Sequence, residues 1–231
     1  MRGFRYEDGA YRAQLDAGER EVVASVVANV VELLGGRVPP DATASATPPH
    51  GGAEPGDHGG AGQGDQADAR GRGDAAAAPV WRLRTDPVPP PDDPAVHRLL
   101  PDASLDDPAV AGEFRRLTED DLRAAKLDRL LWLWTALQDD GPLVPTSQAP
   151  AVAATLTDLR LVLAERLGIR TDEDADRLLR TFARRRRRGA DDVRAYLATV
   201  YDALTWLQES LVQAMLARGD LGPQGRIRPG G

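Results

Sequence analysis

The chain has 231 residues, a formal net charge of −7 at pH 7 and no cysteine. The absence of cysteine excludes disulfides, thiolate metal sites and thiol nucleophiles, and the acidic balance disfavours general attraction to nucleic acid. The N-terminal residues lack the apolar core of a leader and no apolar run of about 18 residues occurs, so we expect a cytoplasmic protein without membrane contact.

The first 37 residues predict a β-hairpin followed by a helix. The segments Phe4–Tyr6 and Tyr11–Leu15 flank the dipeptide Asp8-Gly9, which is a strong tight-turn signal. Asp16 is placed to cap a helix, and Glu19, three residues later, completes a capping box. The following glycine pair predicts where this helix ends.

A change of composition predicts a disordered insertion over residues 38–79. The segment is rich in Gly, Ala, Pro and Asp and has no aromatic residue, so it cannot bury enough apolar surface to offset its conformational entropy. We interpret His50 and His58 within it as solvated side chains rather than metal ligands. Order should resume near Trp81, where the sequence Trp-Arg-Leu-Arg predicts a short strand that pairs with the hairpin.

Three helices are predicted next. Asp93-Pro94 and Asp107-Pro108 each combine a capping aspartate with a proline at the first helical position, and these two helices should end near Leu100 and Leu117. A third helix should begin at the potential cap Thr118 and end near Asp140. It is crowded with leucines and carries Trp132 and Trp134, which we select as a candidate protein contact.

The segment Ala149–Leu167 predicts the central helix of the fold. Its apolar residues recur in steps of three and four, with Pro150 suited to the first turn and Gly168 suited to the end. Additional apolar residues widen the buried face, so the other helices should pack around it.

Two further helices complete the chain. One is capped by Thr171, opens with acidic residues and closes with a run of five consecutive arginines. The last runs from Asp191 to about Arg218 with a near-heptad apolar seam, which suits lengthwise packing on the central helix or on a second copy of the chain. The sequence does not distinguish packing within one chain from packing between two copies, so a homo-oligomer stays an open alternative.

We therefore predict one mostly α-helical domain with a small N-terminal β-hairpin and a long disordered insertion. Residues 1–37 and 80–218 form the domain, residues 38–79 form the disordered linker, and residues 219–231 form a flexible tail.

The arginine run is a candidate partner-binding site. It comprises Arg184, Arg185, Arg186, Arg187 and Arg188. Its guanidinium groups suit an acidic protein surface or phosphates, which makes nucleic-acid binding an alternative function. The structural alternative is that the arginines only complement the dipole at the end of their helix. The run has no interleaved aromatic residues and no groove-reading pattern, so direct recognition of DNA is disfavoured.

A polar cluster in the middle of two apolar helices comprises Asp158, Arg160, Gln208 and Glu209. We expect these residues to pair with one another, mainly through an Arg160–Glu209 ion pair. The alternative is a polar pocket of an enzyme of unrecognised type. His97 has no recognisable nucleophile to serve, so we predict no enzyme, no catalytic residue, no cofactor and no metal.

Several phrases, taken together, resemble a family of actinobacterial proteins catalogued as a domain of unknown function and typified by the oxidative-stress regulator AosR. They are Asp93-Pro94, Arg98-Leu99-Leu100-Pro101-Asp102, Phe114-Arg115, Leu117-Thr118-Glu119, Lys126, Thr157-Asp158-Leu159-Arg160-Leu161-Val162-Leu163, Arg166-Leu167, Tyr201-Asp202, Leu204-Thr205 and Leu207-Gln208-Glu209-Ser210-Leu211.

The resemblance implies a small helical regulator of transcription whose partner is a sigma factor or RNA polymerase. Oxidant sensing in that family uses a pair of cysteines, which this chain lacks. Thr157 and Ala164 also differ from the Asn and Gly that the family pattern would place there. We therefore expect a non-catalytic regulatory protein that acts through protein contacts without a cysteine switch.

Overall fold

In the computed structural model, the described residues are 1–39, 88–139, 142–186 and 193–220. These residues form one three-stranded antiparallel sheet and six helices, which confirms a mostly α-helical fold with a small N-terminal sheet. Most of the predicted linker, the strand predicted at Trp81 and the tail beyond residue 220 lie outside the described residues. The elements are β1 (Arg2–Glu7), β2 (Ala10–Gln14), α1 (Ala17–Leu33), α2 (Pro94–Leu99), α3 (Pro108–Ala136), β3 (Leu143–Pro145), α4 (Ala149–Leu167), α5 (Asp172–Arg186) and α6 (Val193–Arg218).

The predicted hairpin and first helix are confirmed. Asp8 and Gly9 both have positive φ, 50° and 87°, as a two-residue turn of type I′ requires. The Asp16 side chain accepts from the Glu19 N–H at 2.9 Å, and the Glu19 carboxylate accepts from the Asp16 N–H at 2.9 Å. This reciprocal box fixes the start of α1.

The sheet has a third strand that was not predicted. β3 is only three residues long and pairs antiparallel with β2, with Val144 opposite Tyr11. Such a short segment has no alternating pattern of useful length, and its order comes from pairing with residues far away in the chain.

α4 is the centre of the fold, as predicted. It contacts α1, α2, α3, α6 and β3, and it buries Val152, Leu156, Leu159 and Leu163 in the main core. It ends at Gly168, whose φ of 73° is the left-handed conformation that glycine adopts without steric cost.

The prediction of two helices over residues 108–140 is wrong, because α3 is one continuous helix of 29 residues. The Thr118 hydroxyl does not cap a new helix; it donates to the Phe114 carbonyl oxygen at 2.9 Å, one turn back. The acidic residues that follow therefore lie on a helix surface rather than in a first turn.

The apolar seam of α6 packs on α4 of the same chain. Its buried members Val200, Leu204, Leu207, Leu211 and Met215 join the main core. Burial of such side chains contributes roughly 1.5 to 3 kcal/mol each, so α6 is a major stabilising element. No helix within the described ranges combines the length and the apolar character needed to cross a bilayer.

β1 lies at the edge of the sheet and is covered by α6. The Phe4 N–H donates to the Ser210 Oγ at 3.0 Å, and the Tyr11 hydroxyl donates to the Asp220 carboxylate. A Cβ at Gly3 would lie 2.6 Å from the Ser210 Cβ, so glycine allows this close approach.

The end of α1 approaches α3 in a similar way at Gly36. A Cβ there would lie 2.7 Å from the Leu127 Cδ2 and 2.9 Å from the Val31 Cγ1. Glycine is therefore required by contact rather than by an unusual φ.

Candidate functional site

The buried face of α3 has an unusual composition. Ala111, Gly112 and Arg115 are buried, so the first half of the helix turns small residues and a charged side chain towards the fold. The Arg115 guanidinium pairs with the Asp102 carboxylate and lies 3.1 Å from the Glu119 Oε2. The hydrogen bond from Arg115, and to a smaller extent that from His97, holds the pKa of Asp102 below its usual value.

The same ionic network continues along α3. The Arg123 NH2 lies 2.6 Å from the Glu119 Oε1, and the Arg123 NH1 donates to the Leu34 carbonyl oxygen at 3.3 Å. Leu34 immediately follows α1, so this arginine links α3 to the end of that helix. The network replaces the apolar contacts that the inner face of a helix normally supplies.

One turn further on, Lys126 of α3 reaches across to α4. Its Nζ lies 2.7 Å from the Asp158 Oδ1, and the Arg129 NH2 lies 3.7 Å from the Asp158 Oδ2. Asp158 is only 6% exposed. This buried ion pair fixes the position of α3 relative to the central helix.

The predicted polar cluster is divided by the structure. Asp158 faces α3, whereas Arg160 faces α6, where it donates to the Gln208 Oε1 at 2.6 Å and lies over the Tyr201 ring. The Gln208 Nε2 in turn donates to the Thr157 Oγ1 at 2.6 Å. These contacts place side-chain hydrogen bonds across the α4–α6 interface.

The prediction of an Arg160–Glu209 ion pair is wrong. Gln208 occupies the position on α6 that meets Arg160, and Glu209, one residue later, is turned to solvent. Consecutive residues of a helix point about 100° apart, so only one of the two can face α4.

The outer face of α3 carries three large apolar side chains in register. Val110, Phe114 and Leu117 follow the i, i+4, i+7 spacing and are 53%, 52% and 61% exposed. They point about 100° away from the buried residues Ala111 and Arg115, which immediately follow Val110 and Phe114 in the helix. We call these three residues the α3 apolar surface.

Acidic side chains continue this outer face towards the end of α3. Asp120, Asp121 and Asp128 are exposed, and within the described parts of the chain they form no ion pair. We call them the acidic flank. Glu113 lies beside the apolar surface and pairs with Arg116, with 2.5 Å between the Arg116 NH2 and the Glu113 Oε1.

Sequence reasoning missed the α3 apolar surface. The spacing was visible in the sequence, but an apolar stripe on an amphipathic helix is normally assigned to the core. The signal that separates the two cases is Arg115, whose charge is matched by Asp102 and Glu119 on the inner side.

The two tryptophans predicted to contact a partner protein are not fully exposed. Trp132 and Trp134 are half-buried and pack against the main core, so each offers only part of its ring to a partner.

The predicted arginine run falls at the end of α5, which closes at Arg186. The side chains of the run lie outside the described residues: Arg184, Arg185, Arg186, Arg187 and Arg188. A binding role for the run therefore stays a prediction from the sequence.

An open groove of about 520 Å³ lies between β1 and the last turns of α6. Phe4, Tyr6, Ser210 and Ala214 line it, and the Arg218 guanidinium stacks 3.9 Å from the centre of the Tyr6 ring. The lining residues contain no pair of carboxylates and no histidine. In the part of the chain described, no group of three or more potential metal ligands converges.

Comparison with known proteins gives one match. A family model described as Domain of unknown function (DUF2017) matches residues 1–215. No curated protein and no solved structure matches the chain. The matched range extends from the hairpin through most of α6, so it includes the whole of α3.

Proposed function

The chain belongs to the DUF2017 family, whose description assigns no activity, and we propose that it is a non-catalytic regulatory protein that acts through contacts with another protein. The observation that carries this proposal is the α3 apolar surface. Single exposed apolar residues are common on proteins, but three in helical register form a ridge that an apolar groove or helix can cover.

The support beneath this ridge favours binding. Arg115, Arg123 and Lys126 tie the inner face of α3 to residues of other segments through ion pairs and a backbone carbonyl. A partner that docks on the outer face therefore meets a helix already held in place, and little ordering entropy is lost on binding.

Within this proposal the partner belongs to the transcription machinery, as a sigma factor or RNA polymerase, and the protein acts in the cytoplasm. The support is the similarity of several phrases to the family typified by AosR. Since the chain has no cysteine, its regulation does not use a thiol switch.

The test is affinity capture of the tagged protein from its own host, followed by quantitative mass spectrometry. In one variant the α3 apolar surface is changed to alanine, which keeps helix propensity and removes most of the exposed apolar area. The matched control changes three exposed apolar residues of α6 to alanine: Val193, Tyr196 and Leu216.

We expect the wild type and the α6 control to retain the same protein partner and the α3 variant to lose it. Retention by all three proteins would contradict the proposed site. A further variant with all five arginines from Arg184 to Arg188 changed to serine tests the alternative contact, because loss of the partner only in that variant would place binding on the arginine run.

A further inference from the structure

The charges of α3 are sorted between its two sides. Its inward cations Arg115, Arg123 and Lys126 are matched by acceptors within the fold. The acidic flank has no such matching cation among the described residues. The outward side of this helix therefore presents negative charge that the described part of the chain does not neutralise.

Asp121 and Asp128 of the acidic flank form one continuous strip with the α3 apolar surface, and Asp120 lies at its side. Asp121 and Asp128 follow Leu117 at intervals of four and then seven residues, so all three side chains lie on the same side of the helix. With a rise of about 1.5 Å per residue, the strip from Val110 to Asp128 is roughly 27 Å long. That length matches an extended helix of a partner rather than a small molecule.

We propose that this strip binds a basic amphipathic helix of a partner protein. Its apolar side chains would cover Val110, Phe114 and Leu117, and its lysines or arginines would pair with the acidic flank. This inference rests on the proposed function and adds the chemistry of the partner. Three half-exposed side chains bury too little area for a stable complex, so charge pairing must contribute.

The same charges disfavour the other occupants. A second copy docked symmetrically on this face brings two acidic flanks into one interface, where like charges repel. Nucleic acids and anionic membranes are repelled by the flank for the same reason. A basic helix is the occupant for which both halves of the strip are complementary.

The test uses synthetic peptides of about 18 residues, long enough to cover the strip. One peptide has leucines on one face and lysines on the other, and its matched partner has glutamates in place of the lysines. Binding to the full chain is measured by fluorescence anisotropy at about 50 mM and about 300 mM salt. The protein variants are Asp120→Asn/Asp121→Asn/Asp128→Asn, the alanine variant of the α3 apolar surface, and a charge-matched control.

The control, Glu7→Gln/Asp8→Asn/Glu21→Gln, removes three exposed acids from the hairpin and α1. We expect the lysine peptide to bind the wild type about 10-fold more tightly than the glutamate peptide, with the preference reduced at high salt. Loss of the acidic flank should weaken the lysine peptide about 10-fold, and the control should change its affinity less than about 2-fold.

Equal weakening in the control would overturn the inference, because it would show attraction to net charge alone. Absence of lysine-peptide binding at low salt would also overturn it. Tighter binding of the glutamate peptide, lost in the alanine variant, would refute a basic partner while leaving the proposed protein contact intact. Concentration-dependent dimerisation in analytical ultracentrifugation, lost in the alanine variant, would identify a second copy instead.

Discussion

Substitution of Lys126 by methionine removes one charge from a buried ion pair while keeping an unbranched side chain of similar length. The side chains of Lys126 and Asp158 are 11% and 9% exposed, so the Asp158 carboxylate cannot recover the lost contact from bulk water. The described cation that remains nearby is the Arg129 guanidinium, 3.7 Å away. The variant therefore leaves a buried carboxylate with poor compensation.

Breaking a buried pair by removing one partner typically costs about 3 to 5 kcal/mol. Because Arg129 still compensates part of the charge, we expect a smaller loss of about 2 to 3 kcal/mol in the free energy of unfolding. For a domain of about 150 to 250 residues, that loss lowers the melting temperature by roughly 5 to 10 °C.

The assay is urea unfolding followed by circular dichroism, with Arg180→Met as the control. Arg180 pairs with Asp176 at 3.1 Å, but both side chains are exposed, so this change should cost at most about 0.5 kcal/mol. Adding Asp158→Leu to Lys126→Met should recover more than half of the loss, because two apolar side chains then replace the pair. If Lys126→Met costs no more than the control, the reasoning about this buried pair is wrong.

Three further outcomes are expected in equilibrium unfolding. Gly36→Ala should cost about 1 to 3 kcal/mol, because its methyl group collides with neighbouring side chains. Gly18→Ala, whose Cβ would make only an ordinary contact of 3.5 Å with the Asp16 Oδ1, should gain up to about 1 kcal/mol. Burial raises the pKa of Tyr11 from 10.0 to about 12. The Tyr11 hydroxyl therefore contributes fully to stability below pH 10, and this contribution falls as the pH rises towards 12. In the variant Tyr11→Phe this alkaline decline in stability should be flatter. Arg115 holds the pKa of Asp102 below 3.8. The contribution of this ion pair to stability is therefore present above pH 3.8 and is lost as the pH falls through the lowered pKa. Arg115→Met should make the loss of stability at acid pH less steep, and an unchanged acid dependence would refute the role of this pair.

Local signals in the sequence were sufficient for most of the fold. Asp8-Gly9 and the capping box at Asp16 act within a few residues, and the period of α4 identifies a buried helix by itself. The failures are non-local. β3 becomes a strand only because Tyr11 lies opposite Val144, and α3 continues past Thr118 because its hydroxyl is satisfied within the helix.

The candidate site was harder to predict because the first half of α3 reverses the usual arrangement of an amphipathic helix. Its inner face contains Arg115 and small residues, and its outer face contains Phe114 and Leu117. Sequence periodicity finds both faces but does not identify which one contacts the core. That choice depends on Asp102, which pairs with Arg115 and precedes the helix in the chain.

The cover that α6 provides for β1 has a consequence for synthesis of the protein. Phe4 and Ser210 are separated by 206 positions, so at about 5 to 20 residues per second the ribosome needs roughly 10 to 40 s to produce the second partner after the first. Throughout that interval the edge of β1 is open to strand pairing with another nascent chain. A chain terminated before α6 would keep the edge of β1 exposed permanently. Chaperones and proteases would then recognise the incomplete product by this exposed strand edge.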